Sequence, residues 1–157
     1  MTPQEAVAEL KSSEEFFERS SRCLTEEDSA SRPTPDMYTV AQQVAHAART
    51  IDWFVEGAVR PEGFDMDFER HVAEIMVVTS LTKARAWVAK SFEAARHLFE
   101  SQTAEALARP LPAGPVMGGQ PVYGVISAIV EHTAHHRGAL TVYSRLLGKT
   151  PLMPYFE

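Results

Sequence analysis

The spacing of apolar residues along the chain predicts four long helices and no β-strand. Apolar positions recur every three to four residues over four stretches, which is the period of a helix with one buried face. We expect these helices over roughly residues 2–23, Val40 to Val59, Ser80 to Ser101 and Val122 to Leu147. No stretch alternates convincingly with period two, as a half-buried strand would. The predicted fold class is therefore all-α, a four-helix bundle.

Capping residues and helix breakers support these boundaries. Thr39 and Gln42 have the spacing of a capping box at the start of the second helix. Ser80 has the chemistry of an N-cap, and Gly148 is placed to end the fourth helix. Between the second and third helices we expect a loop with a short helical turn around residues 67–77. The segment ARPLPAGPVMGGQP is too rich in proline and glycine to be regular.

Composition and charge limit the class of protein. The 157 residues are expected to form one domain, residues 1–157, with the 45% hydrophobic content of a globular protein. A net charge of −6 without a basic cluster argues against a nucleic-acid partner. The apolar runs are far shorter than the roughly 20 residues of a membrane span, and the acidic N-terminus is unlike a signal peptide. The single cysteine, Cys23, excludes an internal disulfide, so we expect a cytoplasmic protein.

Two histidines of the fourth helix fall on its apolar stripe. The stripe has alternating spacings of three and four residues, typical of a packed helix, and comprises Val122, Val125, Ile129, His132, His136, Ala139, Tyr143 and Leu146. Burial of two imidazoles is unfavourable unless each finds a hydrogen-bond partner or a metal ion. The i, i+4 spacing brings both rings to one ion, as in helical zinc sites. Two interpretations remain open, a metal site or two core histidines bonded to other side chains or to each other.

A transition-metal site needs a third ligand, and His46 is the best candidate. On a helical wheel His46 lies at the edge of the polar face of the second helix, beside Gln43, where it can line a cleft between helices. His71 and His97 stand in charged surroundings, FERHVAE and EAARHLFE, and we expect surface or structural roles for them.

With these residues in view, the chain resembles the DinB-like (damage-inducible, YfiT-related) superfamily. The resemblance rests on VAHAARTIDWFVEGA in the second helix and on HTAHHRGALTVYSRLLGKTPLMPY at the C-terminal end, and it covers essentially the whole chain. It implies a four-helix bundle, usually a homodimer, with a divalent metal held by three histidines. The ligands it implies here are His46, His132 and His136, while His135 matches a frequent extra histidine that is not a ligand.

The expected chemistry follows from such a site. Three neutral histidines leave coordination positions open to water or substrate, and imidazole suits Zn²⁺, Ni²⁺, Fe²⁺ or Cu²⁺, of which we favour zinc or nickel. The resemblance implies a small-molecule substrate and either a transferase of a low-molecular-weight thiol or a hydrolase. Glu131 and Asp52 point away from the stripes, so no obvious base is present, and this slightly favours thiol transfer. A dimeric metal-binding protein without turnover is the alternative.

Two further expectations concern assembly and pH. The second helix carries Trp53 and Phe54 beyond its stripe of Val44, Ile51 and Val55, and a helix that is apolar on two sides needs two partners, which favours a homodimer. Histidine ligation also predicts that metal affinity falls as the pH drops through roughly 6 to 5, because protons compete for free imidazole near pH 6.5.

Overall fold

A computed structural model describes residues 1–156, and these residues form six α-helices and one short 3₁₀ helix. The α-helices are α1 (Pro3–Ser21), α2 (Val40–Val59), α3 (Phe68–Met76), α4 (Leu81–Glu100), α5 (Ala104–Ala108) and α6 (Gly124–Leu146). The 3₁₀ helix is Glu26–Asp28. The all-α prediction is confirmed, since no β-strand occurs in residues 1–156. The sequence pattern missed only α5 and the 3₁₀ helix, because such short turns carry no periodic signal.

The predicted caps form at the helix ends. The Thr39 hydroxyl accepts a hydrogen bond from the Gln42 backbone N–H, and the Gln42 side chain accepts one in return from the Thr39 N–H. Ser80 caps α4 through the Lys83 N–H. Gly148 has φ +72°, the left-handed conformation that ends a helix at low cost to glycine. These bonds fix where α2 and α4 begin.

The four long helices pack as a bundle in which α2 and α6 are neighbours. Each of α1 and α2 packs against both α4 and α6. The largest fully buried side chains include Phe17, Phe92, Phe99, Ile51 and Ile129, so all four helices supply the core. This neighbourhood brings the polar edge of α2 against α6, as the cleft proposed from the sequence requires.

The buried stripe of α6 departs from the predicted seam. Thr133, Leu140 and Ser144 are buried, while Leu146 is 66% exposed, so the prediction for Leu146 is wrong. A straight helix has 3.6 residues per turn, and its buried face therefore drifts away from a strict repeat of 3.5. His136 stays on the buried face, with 7% of its surface exposed.

The short helix α3 covers one side of α2. Phe68 contacts Trp53, with ring centroids 5.9 Å apart, and Trp53 Nε1–H donates to the Asp65 carbonyl at 2.6 Å. Arg49 of α2 pairs with Glu74 of α3, with Nε 2.7 Å from Oε2. The second apolar side of α2 therefore packs on the α3 segment of the same chain. The helical turn predicted around residues 67–77 is confirmed as α3.

Within residues 1–156, every helix is too short or too polar to cross a membrane.

Candidate metal centre and its cavity

Two adjacent helices bring three imidazoles together. His46 extends from α2, and His132 and His136 extend from consecutive turns of α6. One ligand nitrogen of each ring lies within 4.8 Å of the other two. Among residues 1–156 this is the one group of three or more histidine, cysteine or acidic side chains with such spacing. The three residues singled out from the sequence are therefore the three that the fold assembles.

The ring contacts are close enough for one small ion. Ring centroids are separated by 4.4 Å for His132–His136, 4.6 Å for His46–His136 and 5.2 Å for His46–His132. Nε2 of His136 lies 3.1 Å from Nε2 of His132. Two ligands of a tetrahedral zinc ion, each about 2.0–2.1 Å from it, are about 3.3–3.4 Å apart. The α6 pair is thus within a few tenths of an ångström of ligand spacing.

Two ring nitrogens of the cluster lack hydrogen-bond partners within residues 1–156. Nδ1 of His46 and Nδ1 of His132 are buried and find no hydrogen-bond partner among the described residues. A buried polar atom without a partner is destabilising by about 1–3 kcal/mol. Imidazole nitrogens suit a divalent transition metal, and the cluster could hold one. Imidazole ligands occur with both zinc and nickel.

Burial keeps the three rings neutral. Desolvation lowers the pKa of His136 to about 3, with smaller contributions from the charges of His132, His46 and His135. Desolvation, followed by repulsion from His46 and His135, lowers the pKa of His132 to about 4. The pKa of His46 is lowered by burial and then by His135. At neutral pH all three rings therefore carry the free lone pairs that coordination needs.

A cavity of about 240 Å³ opens beside the cluster. Two of the three histidines, His46 and His132, form part of its wall, and the rest of the wall is mainly aromatic and aliphatic. The other lining residues are Arg49, Thr50, Trp53, Phe54, Phe68, His71, Val72 and Ile75. Phe68 is 50% and Val72 43% exposed, so these two α3 residues form the rim. A ligand in this cavity would touch the metal-site histidines and α3 together.

The structure places one further histidine in this wall, which sequence reasoning did not anticipate as a site residue. His71 is 6% exposed, and its Nε2 lies 3.5 Å from Oδ2 of Asp65. A backbone hydrogen bond from Asp67, together with Arg70 and His71, lowers the pKa of Asp65 to about 2, so this carboxylate is ionised. At this distance Nε2 of His71 forms no hydrogen bond to the carboxylate, so Asp65 is a neighbouring negative charge and His71 is a buried imidazole in the cavity wall. The only signal in the sequence was the helical turn around residues 67–77 that carries His71.

The other candidate side chains lie away from the cluster. Asp52 accepts a hydrogen bond from Trp87 Nε1 at 2.7 Å, and Glu131 is exposed, as the helical-wheel positions predicted. His97 is exposed on α4, with 74% of its side chain accessible. Cys23 is a half-buried thiol 3.4 Å from the Ser144 hydroxyl. His135 is exposed beside His136 and is not part of the three-residue group.

The fold and the cluster together define a helical-bundle protein with a three-histidine candidate metal site. The family model of the DinB superfamily matches residues 9–140, and the chain belongs to this superfamily. The resemblance noted from the sequence is thereby confirmed.

Solved structures show the same fold. The crystal structure of a DinB-like protein from Bacillus cereus ATCC 10987 is similar with a TM-score of 0.76 and 19% identity, covering 99% of this chain and 98% of that one. The DinB-like protein YjoA from Bacillus subtilis is similar with a TM-score of 0.68 and 16% identity, covering 94% of this chain and 95% of that one. Curated protein sequences give no match.

Proposed function

We propose that the protein is a metal-dependent enzyme in which His46, His132 and His136 hold one zinc or nickel ion. The observation that carries the proposal is the cavity of about 240 Å³ whose wall includes two of these ligands. A structural metal site is closed by four protein ligands, whereas a catalytic site keeps positions for water or substrate. Three ligands beside a cavity match the catalytic pattern.

The substrate class that we propose is a low-molecular-weight thiol together with an apolar electrophile. A bound divalent ion lowers the pKa of a thiol so that the sulfur is presented as a thiolate. The thiol proton would pass to the His71 imidazole, and the sulfur would form a bond to the electrophilic carbon. Trp53 and Phe54 would hold the apolar body of the electrophile. The cavity is small for a drug-sized ligand, so the remainder of the thiol would extend past the rim at Phe68.

A conjugation assay tests this proposal. The purified protein would be mixed with glutathione, bacillithiol or mycothiol and with 1-chloro-2,4-dinitrobenzene, in which chloride is the leaving group. We expect conjugation that depends on added zinc or nickel, is lost in His136→Ala and is retained in His135→Ala. Stoichiometric metal binding with no conjugation for any thiol would instead support a metal-binding protein without turnover.

Hydrolysis is the second candidate function, and the His71–Asp65 pair favours it. In metal-assisted hydrolysis a water molecule gives up one proton to a nearby base and attacks the substrate carbonyl. With Asp65 beside Nε2, His71 is placed in the same cavity wall as His46 and His132. His71 is the residue that we propose as the base of this reaction.

For this second candidate we expect His71→Gln to slow zinc-dependent hydrolysis of 4-nitrophenyl acetate by about 10²–10⁴-fold, the usual loss for a general base. Zinc affinity should stay at the wild-type value, because His71 lies outside the three-histidine group. His97→Gln on the exposed face of α4 is the matched control. An unchanged hydrolysis rate in His71→Gln would remove His71 from the mechanism.

We also propose that the protein forms a homodimer, although the argument from Trp53 and Phe54 no longer supports it. Trp53 and Phe54 pack against Phe64 within one chain, so α2 does not require a second copy. The family resemblance supports a dimer, and so do exposed apolar side chains around the end of α6 and the segment after it. These include Val142, Leu146, Leu147, Leu152 and Met153. Light scattering at micromolar concentration should give twice the monomer mass of 17.4 kDa, and a monomer would contradict the proposal.

A further inference from the structure

Gln43 contacts the one ring nitrogen of His136 that does not face His132. The Gln43 side-chain nitrogen lies 2.5 Å from Nδ1 of His136, while Nε2 of His136 lies 3.1 Å from Nε2 of His132. Gln43 is 7% exposed. It precedes His46 by three residues on α2, so both side chains face α6. One glutamine of α2 thus touches a candidate ligand of the opposite helix.

These two contacts couple the tautomer of His136 to the orientation of the Gln43 amide, because each ring nitrogen can donate or accept. With the amide nitrogen donating to Nδ1, the ring proton resides on Nε2, from which it points to His132. A protonated Nε2 has no lone pair for a metal. Coordination through Nε2 requires the opposite tautomer, with the proton on Nδ1 and an acceptor facing it.

The Gln43 amide can supply this acceptor by a half turn. Its oxygen and its NH₂ group have nearly the same size, so rotation about the Cγ–Cδ bond exchanges donor for acceptor without repacking. We propose that Gln43 is a positioning residue that presents its oxygen to Nδ1–H of His136 and thereby leaves Nε2 free to bind the metal. This inference rests on the proposed metal site. It adds to that site a residue that sets the protonation pattern of one ligand.

Nearby side chains support a specific role for Gln43. The hydrogen bond of a ligating histidine to an acceptor fixes the ring orientation and raises the basicity of the ligand. Nδ1 of His46 and Nδ1 of His132 find no such partner within residues 1–156. The interaction with Gln43 therefore distinguishes His136 from the other two candidate ligands.

The neighbouring glutamine provides a matched control. Gln42 is also buried, at 8% exposure, but its side chain bonds the Met76 carbonyl and the Thr39 N–H instead of a histidine. Gln43→Met and Gln42→Met remove the same amide from adjacent positions. A loss of packing alone would affect both variants, whereas a role in metal binding affects only the first.

We expect Gln43→Met to weaken zinc binding by about 10–100-fold, the usual effect of losing such a partner. Gln43→Glu should restore affinity to the wild-type value or better, because a carboxylate also accepts from Nδ1–H. Gln42→Met should lower the melting temperature and leave zinc affinity unchanged. Calorimetric titration with zinc measures the affinities. Equal affinities in wild type and Gln43→Met would overturn the proposal.

Nitrogen-15 NMR of the imidazoles provides a second readout, which a purely structural role would not change. In the zinc-loaded wild type we expect His136 to carry its proton on Nδ1, with Nε2 bound to the ion. A zinc-bound Nδ1 with a proton on Nε2 would overturn the assignment of Gln43. Wild-type protein that binds no zinc would reject the metal site itself, so the two failures are distinguishable.

Discussion

Replacing His132 or His136 by alanine is expected to abolish stoichiometric metal binding and to leave the helix content unchanged. The two Nε2 atoms lie 3.1 Å apart, so the two rings present donor atoms close to the ligand spacing of one ion. Removing either leaves two histidines, fewer than the three protein ligands of catalytic zinc sites. Alanine favours a helix more than histidine does, so α6 should persist.

The measurement is elemental analysis after dialysis against zinc or nickel, with circular dichroism as the check on folding. We expect about one ion per wild-type chain and close to none in His132→Ala, His136→Ala or His46→Ala. His135→Ala is the control, because His135 neighbours His136 on α6 but is exposed and outside the cluster. Equal metal content in wild type and in all three cluster variants would contradict the assignment.

The bundle and the pair His132 and His136 could be predicted from the sequence, because the signals for them lie within single short segments. Helix periodicity and the i, i+4 spacing of His132 and His136 are properties of one segment, and the Thr39–Gln42 capping box needs only four residues. The sequence pattern alone did not determine the role of His46, because a residue at the edge of a polar face can face either solvent or a cleft between helices. The family resemblance selected the cleft, and the packing of α2 on α6 confirms that geometry.

The cavity could not be predicted, because it depends on contacts between distant segments. His71 stands in FERHVAE, for which we expected a surface or structural role, and the packing of α3 on α2 buries it beside Asp65. The surroundings of Trp53 and Phe54 depend on distant contacts in the same way. Their apolar character indicated a second partner for α2, but periodicity could not tell whether that partner came from the same chain, as Phe64 and Phe68 do.

Acidification is expected to weaken the fold well before it weakens zinc binding. In the unfolded chain histidine takes up its proton near pH 6.5, whereas folded His132 and His136 do so only near pH 4 and 3. Between these limits the unfolded state binds more protons, so the free energy of unfolding falls as the pH falls. Their contribution is complete above pH 6.5 and is lost as the pH drops to the folded pKa values.

The carboxylates with lowered pKa values titrate below the pH range in which the buried histidines first change stability. Glu5 and Glu26 have their pKa values lowered by hydrogen bonds from Thr2 and Thr82, respectively, so their contributions are lost only below pH 4.5. A decline in melting temperature between pH 6.5 and 5, recorded in chelator, therefore reports the buried histidines. The decline should be smaller in a His132→Ala, His136→Ala double variant.

Zinc affinity is expected to change over a lower pH range than stability does. Protons and zinc compete for the imidazoles of the folded protein, whose pKa values are lowered. Three ordinary imidazoles would lose about 10³–10⁴-fold in affinity between pH 6.5 and 5, as the uncorrected sequence prediction implies. With the pKa values of His132 and His136 lowered to about 4 and 3, and that of His46 also lowered, we expect a loss below about tenfold over this range. Binding should then collapse as the pH falls through 4 and 3. Competition titration with a chelator at each pH measures the affinity. A thousandfold loss by pH 5 would show that the three rings titrate as solvated imidazoles and not as the buried cluster described above.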